Sequence, residues 1–92
     1  LGLTRCAAAE LGPFGIRVNM VCPGVILTPM HELGRRLFGD EVYDAIVQNR
    51  VHYRRKGRPE EIAANILWLC SDEASYVSGA YLVADGGLMA TM

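Results

Sequence analysis

No stretch of this 92-residue chain approaches the roughly 20 consecutive apolar residues needed to cross a bilayer, although 51% of its residues are hydrophobic. No membrane span is expected, and Leu1 does not open a charged segment followed by an apolar core of the secretory kind. Charge of one sign is missing as well. Nine basic against ten acidic side chains leave a formal charge of −1, which supplies no general pull toward nucleic-acid phosphates. Paired cysteines are also lacking. Cys6, Cys22 and Cys70 stand singly in apolar segments, with neither Cys-x-x-Cys spacing nor nearby histidines at ligand spacing, so neither a disulfide framework nor a metal site is expected. They read as small buried core residues in a reducing compartment, and the chain as cytoplasmic. Leu1 is not an initiating Met and already stands in a helical pattern, so a piece of a longer protein is expected.

What is present alternates between the two backbone periods. Leu1 to Leu11 is rich in Ala, Leu and Glu and is stopped by Gly12-Pro13, which predicts a helix. Ile16 to Cys22 is β-rich, with apolar residues on both faces, as in an interior parallel strand, and Pro23-Gly24 ends it. Val25 to Pro29 is an extended loop, because Thr28 precedes a proline. Met30, Leu33 and Leu37 form one stripe of a short helix up to Gly39. Asp40 is the expected N-cap of a second helix running to about Val51, with Tyr43, Ile46, Val47 and Val51 as its apolar face. Pro59 with Glu60 and Glu61 opens a third helix whose stripe is Ile62, Ile66, Leu69 and Cys70. Gly79 turns the chain into a second β segment, Ala80 to Ala84, which Asp85-Gly86-Gly87 ends.

The order of helix, strand, two small helices, helix and strand places one βαβ crossover between residues 16 and 84. The fold class is α/β with a parallel sheet. Two strands make a poor sheet, and parallel sheets are covered by helices on both faces, so most of the sheet is expected outside this chain.

Five stretches carry a more specific likeness: Leu3-Thr4-Arg5 with Ala9-Glu10-Leu11; Gly15-Ile16-Arg17-Val18-Asn19; Val21-Cys22-Pro23-Gly24-Val25-Ile26-Leu27-Thr28; Gly57-Arg58-Pro59-Glu60-Glu61-Ile62-Ala63; and Ser78-Gly79 through Asp85-Gly86-Gly87. Together, and in this order, they resemble the C-terminal part of a short-chain dehydrogenase/reductase. That is the single-domain Rossmann-fold family of oxidoreductases with a doubly wound parallel sheet and an NAD or NADP cofactor. The resemblance implies that residues 1 to 92 are part of one such domain and that residues 29 to 55 are its substrate lid. It also implies that the glycine-rich phosphate loop, the catalytic serine and the Tyr-x-x-x-Lys pair lie upstream. Tyr43, Tyr53, Tyr76 and Tyr81 do not replace them, since none has a lysine four residues later; no catalytic residue is assigned here.

Ligands of doubly wound sheets lie beyond the carboxyl ends of the strands. By resemblance, Pro23, Gly24, Ile26 and Thr28 bind the cofactor: Gly24 lets a flat ring approach, the Ile26 backbone bonds the nicotinamide carboxamide, and the Thr28 hydroxyl meets the carboxamide or the pyrophosphate. Taken alone, Pro-Gly is a strand terminator and Thr28 a loop residue. Met30, Leu33 and Leu37 are candidates to line an apolar substrate pocket, although such a stripe is more often plain packing. His31 is expected at the surface or a pocket edge, without a catalytic role. Arg50, Arg54, Arg55, Lys56 and Arg58 read as a solvated face rather than a phosphate or acyl-carrier site. Asn19 is expected to satisfy a neighbouring backbone group.

The resulting expectation is part of an oxidoreductase that moves hydride between NAD(P)(H) and a carbonyl or alcohol substrate, close to 3-oxoacyl-thioester reductases or small alcohol and sugar dehydrogenases. The alternative is a truncated, non-catalytic interaction module. The resemblance also implies a homotetramer or homodimer for the parent, buried along the first helix and the last strand.

Overall fold

The computed structural model describes residues 1–91. The first helix, α1 (Gly2–Leu11), runs into a single 3-10 turn at Gly12–Phe14, and Gly15 closes that turn in the left-handed region at φ 77°. Strands β1 (Met20–Pro23) and β2 (Tyr81–Ala84) pair side by side in parallel. Their ladder extends from Met20 N–H on Ala80 C=O at 3.0 Å to Gly24 N–H on Ala84 C=O at 3.1 Å. Between the strands lie α2 (Pro29–Phe38), α3 (Asp40–Arg50) and α4 (Pro59–Cys70), followed by a 3-10 turn at Asp72–Ala74. The expected βαβ order is therefore present.

Each strand is shorter than its apolar run, and side chains are the reason. Val18 N–H donates to Ser78 Oγ at 3.2 Å, and Asn19 takes both roles at once, Nδ2 donating to Val77 C=O at 2.9 Å and Oδ1 accepting Ala80 N–H at 3.0 Å. The Asn19 amide thus takes the Val77 C=O and the Ala80 N–H, and a serine hydroxyl takes the Val18 N–H, where main-chain groups would otherwise bond, as expected for Asn19. Asp40 departs from its expected role. It is the first residue of α3, its carboxylate makes no cap bond, and Oδ1 instead accepts Arg35 at 2.8 Å, because Gly39 at φ 89° carries the chain directly from α2 into α3.

The described chain falls into two compact units: Leu1–Cys22 with Ala63–Val83, and Pro23–Ile62 with the residues from Ala84 on. The buried apolar side chains are few: Leu69 and Ala74 in the first unit, Val47 and Val51 in the second. The stripe expected on α4 is buried only at Leu69, while Ile66 is 48% exposed and Cys70 is exposed. The cysteines correct the reading in the same way, Cys6 and Cys70 being exposed and Cys22 half-buried. Two four-residue strands present too little surface to cover those faces. Among the described residues no helix is long and apolar enough to cross a membrane, and no group of side chains is placed to hold a metal ion.

Arg17 is the ionic centre of the first unit. Its guanidinium donates to Leu69 C=O at 2.6 Å, Ser71 C=O at 3.1 Å and Val77 C=O at 3.4 Å. Two of those carbonyls belong to the C-terminal end of α4, where the helix dipole is negative and the last carbonyls have no intrahelical donors. Arg17→Ala in the full-length protein is expected to cost about 2 kcal/mol, the loss of a charged donor to part-buried carbonyls, measured by denaturant unfolding. A change within about 0.5 kcal/mol would remove Arg17 from the stability of this unit.

Candidate functional site

The loop after β1 is built by close backbone contacts. A Cβ placed on Gly24 would lie 2.7 Å from both Cα and Cβ of Asp85, so the glycine is required by a neighbouring main chain, independently of any ligand. Asp85 is itself fixed: its carboxylate accepts Gly87 N–H at 2.9 Å and Met89 N–H at 3.0 Å. Gly86 and Gly87, at φ 63° and 87°, carry the turn through a conformation that side chains rarely adopt. Gly86 C=O then accepts Tyr53 N–H at 3.0 Å.

Two residues beyond Gly24, Ile26 forms a parallel bridge with Gly57. Gly57 N–H donates to Val25 C=O at 2.8 Å, and Leu27 N–H donates to Gly57 C=O at 3.0 Å. In a parallel ladder this flanking pattern uses the groups before and after the bridged residue and turns that residue's own N–H and C=O to the other side. A Cβ on Gly57 would sit 2.6 Å from Ile26 Cδ1. Sequence reasoning found Gly57 within a motif but not this role; its signal was a glycine in front of Arg58-Pro59, at the entry to a helix.

The segment that carries Gly57 is pinned by charge. Both Glu61 oxygens accept the Arg55 guanidinium, at 2.8 and 3.0 Å, and Oε1 also accepts Arg58 N–H at 3.1 Å. These bonds, with Arg55 foremost, hold the Glu61 carboxyl down at about 2. Lys56 lies 3.8 Å from Asp44. The basic cluster is a largely exposed face on which Arg54, Arg55, Lys56 and Arg58 have local partners, in line with the solvated reading.

Thr28 ends the loop as the N-cap of α2, its Oγ1 accepting His31 N–H at 3.2 Å. That bond occupies one lone pair and leaves the hydroxyl proton available to an acceptor. Along α2 three faces separate. His31 and Gly34 are the buried residues, and the His31 ring meets Tyr43 of α3 edge-on with centroids 4.6 Å apart. His31 is 8% exposed and its buried Nε2 has no partner among the described residues, which corrects the expected surface position. The charged face closes on itself: Arg35 pairs with Glu32 at 2.7 Å and Asp40 at 2.8 Å, and Arg36 with Glu32 at 3.6 Å. Hydrogen bonding to Arg35 lowers the Glu32 carboxyl below its usual range. Met30, Leu33 and Leu37 form the third face, exposed by 82%, 57% and 67%.

Pro23 thus ends β1, Gly24, Ile26 and Thr28 lie on the loop that follows it, and Met30, Leu33 and Leu37 on the helix that the loop leads into. The sequence profile of the family described as enoyl-(acyl carrier protein) reductase matches residues 1–89. Short-chain reductase protein NovJ of Streptomyces niveus is 42% identical over 90 residues, 94% of this chain and 34% of its own length. The structure of 4-hydroxyisoleucine dehydrogenase complexed with NADH matches with a TM-score of 0.85 at 35% identity, covering 99% of this chain and 36% of that one. YwfH, an NADPH dependent reductase involved in bacilysin biosynthesis, matches at 0.89 with 30% identity, covering 99% and 37%. The chain spans about a third of the length of each, and its helices and parallel strand pair agree with the expected Rossmann-like α/β class.

Gly24→Ala in the full-length protein is expected to cost about 1 to 3 kcal/mol, because backbone rather than a mobile side chain must give way. An unaltered unfolding midpoint would show that Asp85 leaves room. The Glu61 carboxylate, whose value is lowered on folding, contributes stability that is complete above the ordinary carboxylate value and is lost as pH falls toward about 2. A carbon-detected titration placing Glu61 at an ordinary glutamate value would contradict the Arg55 and Arg58 bonds.

Proposed function

Because the chain belongs to the short-chain dehydrogenase/reductase family, we propose that it is part of an oxidoreductase that moves hydride between NAD or NADP and a carbonyl or alcohol substrate. In this reading Pro23, Gly24, Ile26 and Thr28 form the nicotinamide side of the site, and residues 29 to 55 form the lid. The observation that carries it is the Gly57 bridge, which leaves a donor and an acceptor on one residue, Ile26, outside the main-chain bonding. A carboxamide offers the complementary acceptor and donor. The Ile26 N–H donates to the carboxamide oxygen, the Ile26 C=O accepts from its NH₂, and the Thr28 hydroxyl donates to the carboxamide or the pyrophosphate. Gly24, held bare by Asp85, keeps that end of the loop flat.

The cofactor when bound supplies or accepts the hydride. In the reducing direction the carbonyl carbon takes hydride from NAD(P)H and the oxygen takes a proton, giving alcohol and NAD(P)⁺. The part played by this chain is orientation: an error of about 1 Å in the reacting geometry costs on the order of 100-fold in rate, and main-chain groups locked by two hydrogen bonds resist it.

The test is nucleotide binding and turnover by the full-length protein, followed by the ultraviolet absorbance of reduced nicotinamide. Ile26→Val keeps both main-chain groups and is expected to hold nucleotide affinity within about twofold, whereas Ile26→Pro removes the N–H and weakens it by roughly 5- to 10-fold, one hydrogen bond. Equal affinities in the two variants would take Ile26 out of the site. Thr28→Ala is expected to lose about 1 kcal/mol of stability with the cap and a further 5- to 30-fold in kcat/KM, while Thr28→Ser retains most of both; unchanged kinetics in Thr28→Ala would withdraw the hydroxyl from the reaction.

A further inference from the structure

We propose that Asp85 is a positioning residue for the nicotinamide side of the site, acting through the main chain of Gly24; this rests on the oxidoreductase reading above. Three consecutive N–H groups are taken up by this one residue. Its carboxylate accepts Gly87 N–H at 2.9 Å and Met89 N–H at 3.0 Å, and its C=O accepts Leu88 N–H at 3.2 Å. The two glycines that follow, both at positive φ, are the residues with the widest choice of backbone conformations, so the turn has one shape only while these bonds hold it. The carboxylate supplies two of the three.

That shape is used on two sides. Toward β1, Asp85 Cα and Cβ stand where a Cβ of Gly24 would be, and Gly24 N–H donates to Ala84 C=O at 3.1 Å, so main chain lies directly against main chain. Toward the chain leaving α3, Gly86 C=O accepts Tyr53 N–H at 3.0 Å, while a Cβ on Gly86 would lie 2.9 Å from Val51 Cγ1 and one on Gly87 3.0 Å from His52 Cβ. His52 Nε2 in turn lies 3.3 Å from Thr91 Oγ1. One carboxylate therefore sets where Gly24 sits and where the chain leaving α3 comes to rest. The loop after β1 is held at two separable points, Gly24 by Asp85 and Ile26 by Gly57. Loss of the Asp85 carboxylate frees the first and leaves the second, so nucleotide still meets Ile26 and Thr28 but its nicotinamide ring is poorly held at Gly24.

The experiment uses the full-length protein with Asp85→Asn, which keeps one neutral acceptor, Asp85→Ala, which keeps none, and Arg17→Ala as a variant destabilised elsewhere. Amide hydrogen exchange is expected to quicken at Gly24 and Tyr53 by roughly tenfold in Asp85→Asn and by more in Asp85→Ala, while Gly57 N–H exchanges as in the unaltered protein. For whichever of NADH and NADPH binds more tightly, the dissociation constant rises by no more than about threefold, less than the loss of one hydrogen bond to a charged group. The fluorescence lifetime of the bound reduced nicotinamide shortens toward that of free nucleotide. Arg17→Ala leaves that lifetime unchanged. Should Asp85→Ala not fold, Asp85→Asn alone decides. Unchanged exchange at Gly24, or exchange that quickens equally at Gly57, overturns the positioning role. So does an unchanged lifetime beside quickened exchange, or a lifetime shortened as much in Arg17→Ala, either of which makes Asp85 a contributor to stability only and leaves the oxidoreductase reading standing. Binding of neither nucleotide by the unaltered protein overturns that reading, and this role with it.

Discussion

Two main-chain hydrogen bonds to one glycine hold the functional part of this chain. Gly57 accepts from Leu27 and donates to Val25, and its bare Cα leaves the end of the Ile26 side chain lying where a Cβ would stand. Everything on either side is set from there. Downstream of the bridge, Glu61 draws Arg55 and Arg58 together at the first turn of α4. On the other strand of the bridge, the loop leads within two residues to Thr28, which caps α2. A substituent at Gly57 would meet the end of the Ile26 side chain, which must turn aside for the bridge to stay closed.

Coverage sets the character of the remainder. A parallel strand pair buries its faces only when helices lie on both, and 91 described residues supply four short helices and eight strand residues. Apolar side chains consequently remain in the open: Leu3 is 85% exposed, Phe14 78% and Leu67 72%. A chain that spans about a third of the length of its relatives has the residue pattern of an interior without the layers that make it one.

That distinction separates what was legible in the sequence from what was not. The elements were legible because their signals are local: Gly12-Pro13 stops α1, Pro59 starts α4, and Asp85-Gly86-Gly87 ends β2. Burial was not, because the apolar periodicity at Ile66 and Cys70 records the face a residue presents and not whether a partner covers it. Strand ends were misjudged where Asn19 replaced main-chain bonds with its own amide, a substitution invisible to propensity. Asp40 looked like a cap because aspartate usually is one, yet Arg35 lay within reach of the same carboxylate. On the candidate loop the residues were found but one reason differed: Gly24 is bare because Asp85 approaches it, a contact more than sixty residues away in sequence that no local pattern encodes.

The loop and the helix that follows it divide their work between two kinds of atom. In the proposed reading Ile26 contributes its main-chain N–H and C=O, a pair that every residue except proline offers. Along α2 the reverse holds: the backbone is committed to the helix, and what it presents is side chains, Met30, Leu33 and Leu37 among them. These three are free to change because other residues maintain the helix. Thr28 caps its start, His31 and Gly34 seat it against Tyr43, and the pairs among Glu32, Arg35 and Arg36 neutralise its charged face. A replacement on the apolar stripe therefore leaves the contacts that seat the helix in place. A replacement at Gly24, where backbone must give way, alters position before it alters chemistry. Under the oxidoreductase reading, substrate preference can vary while the geometry that orients the nicotinamide stays fixed, since the two are written in different atoms of adjoining segments.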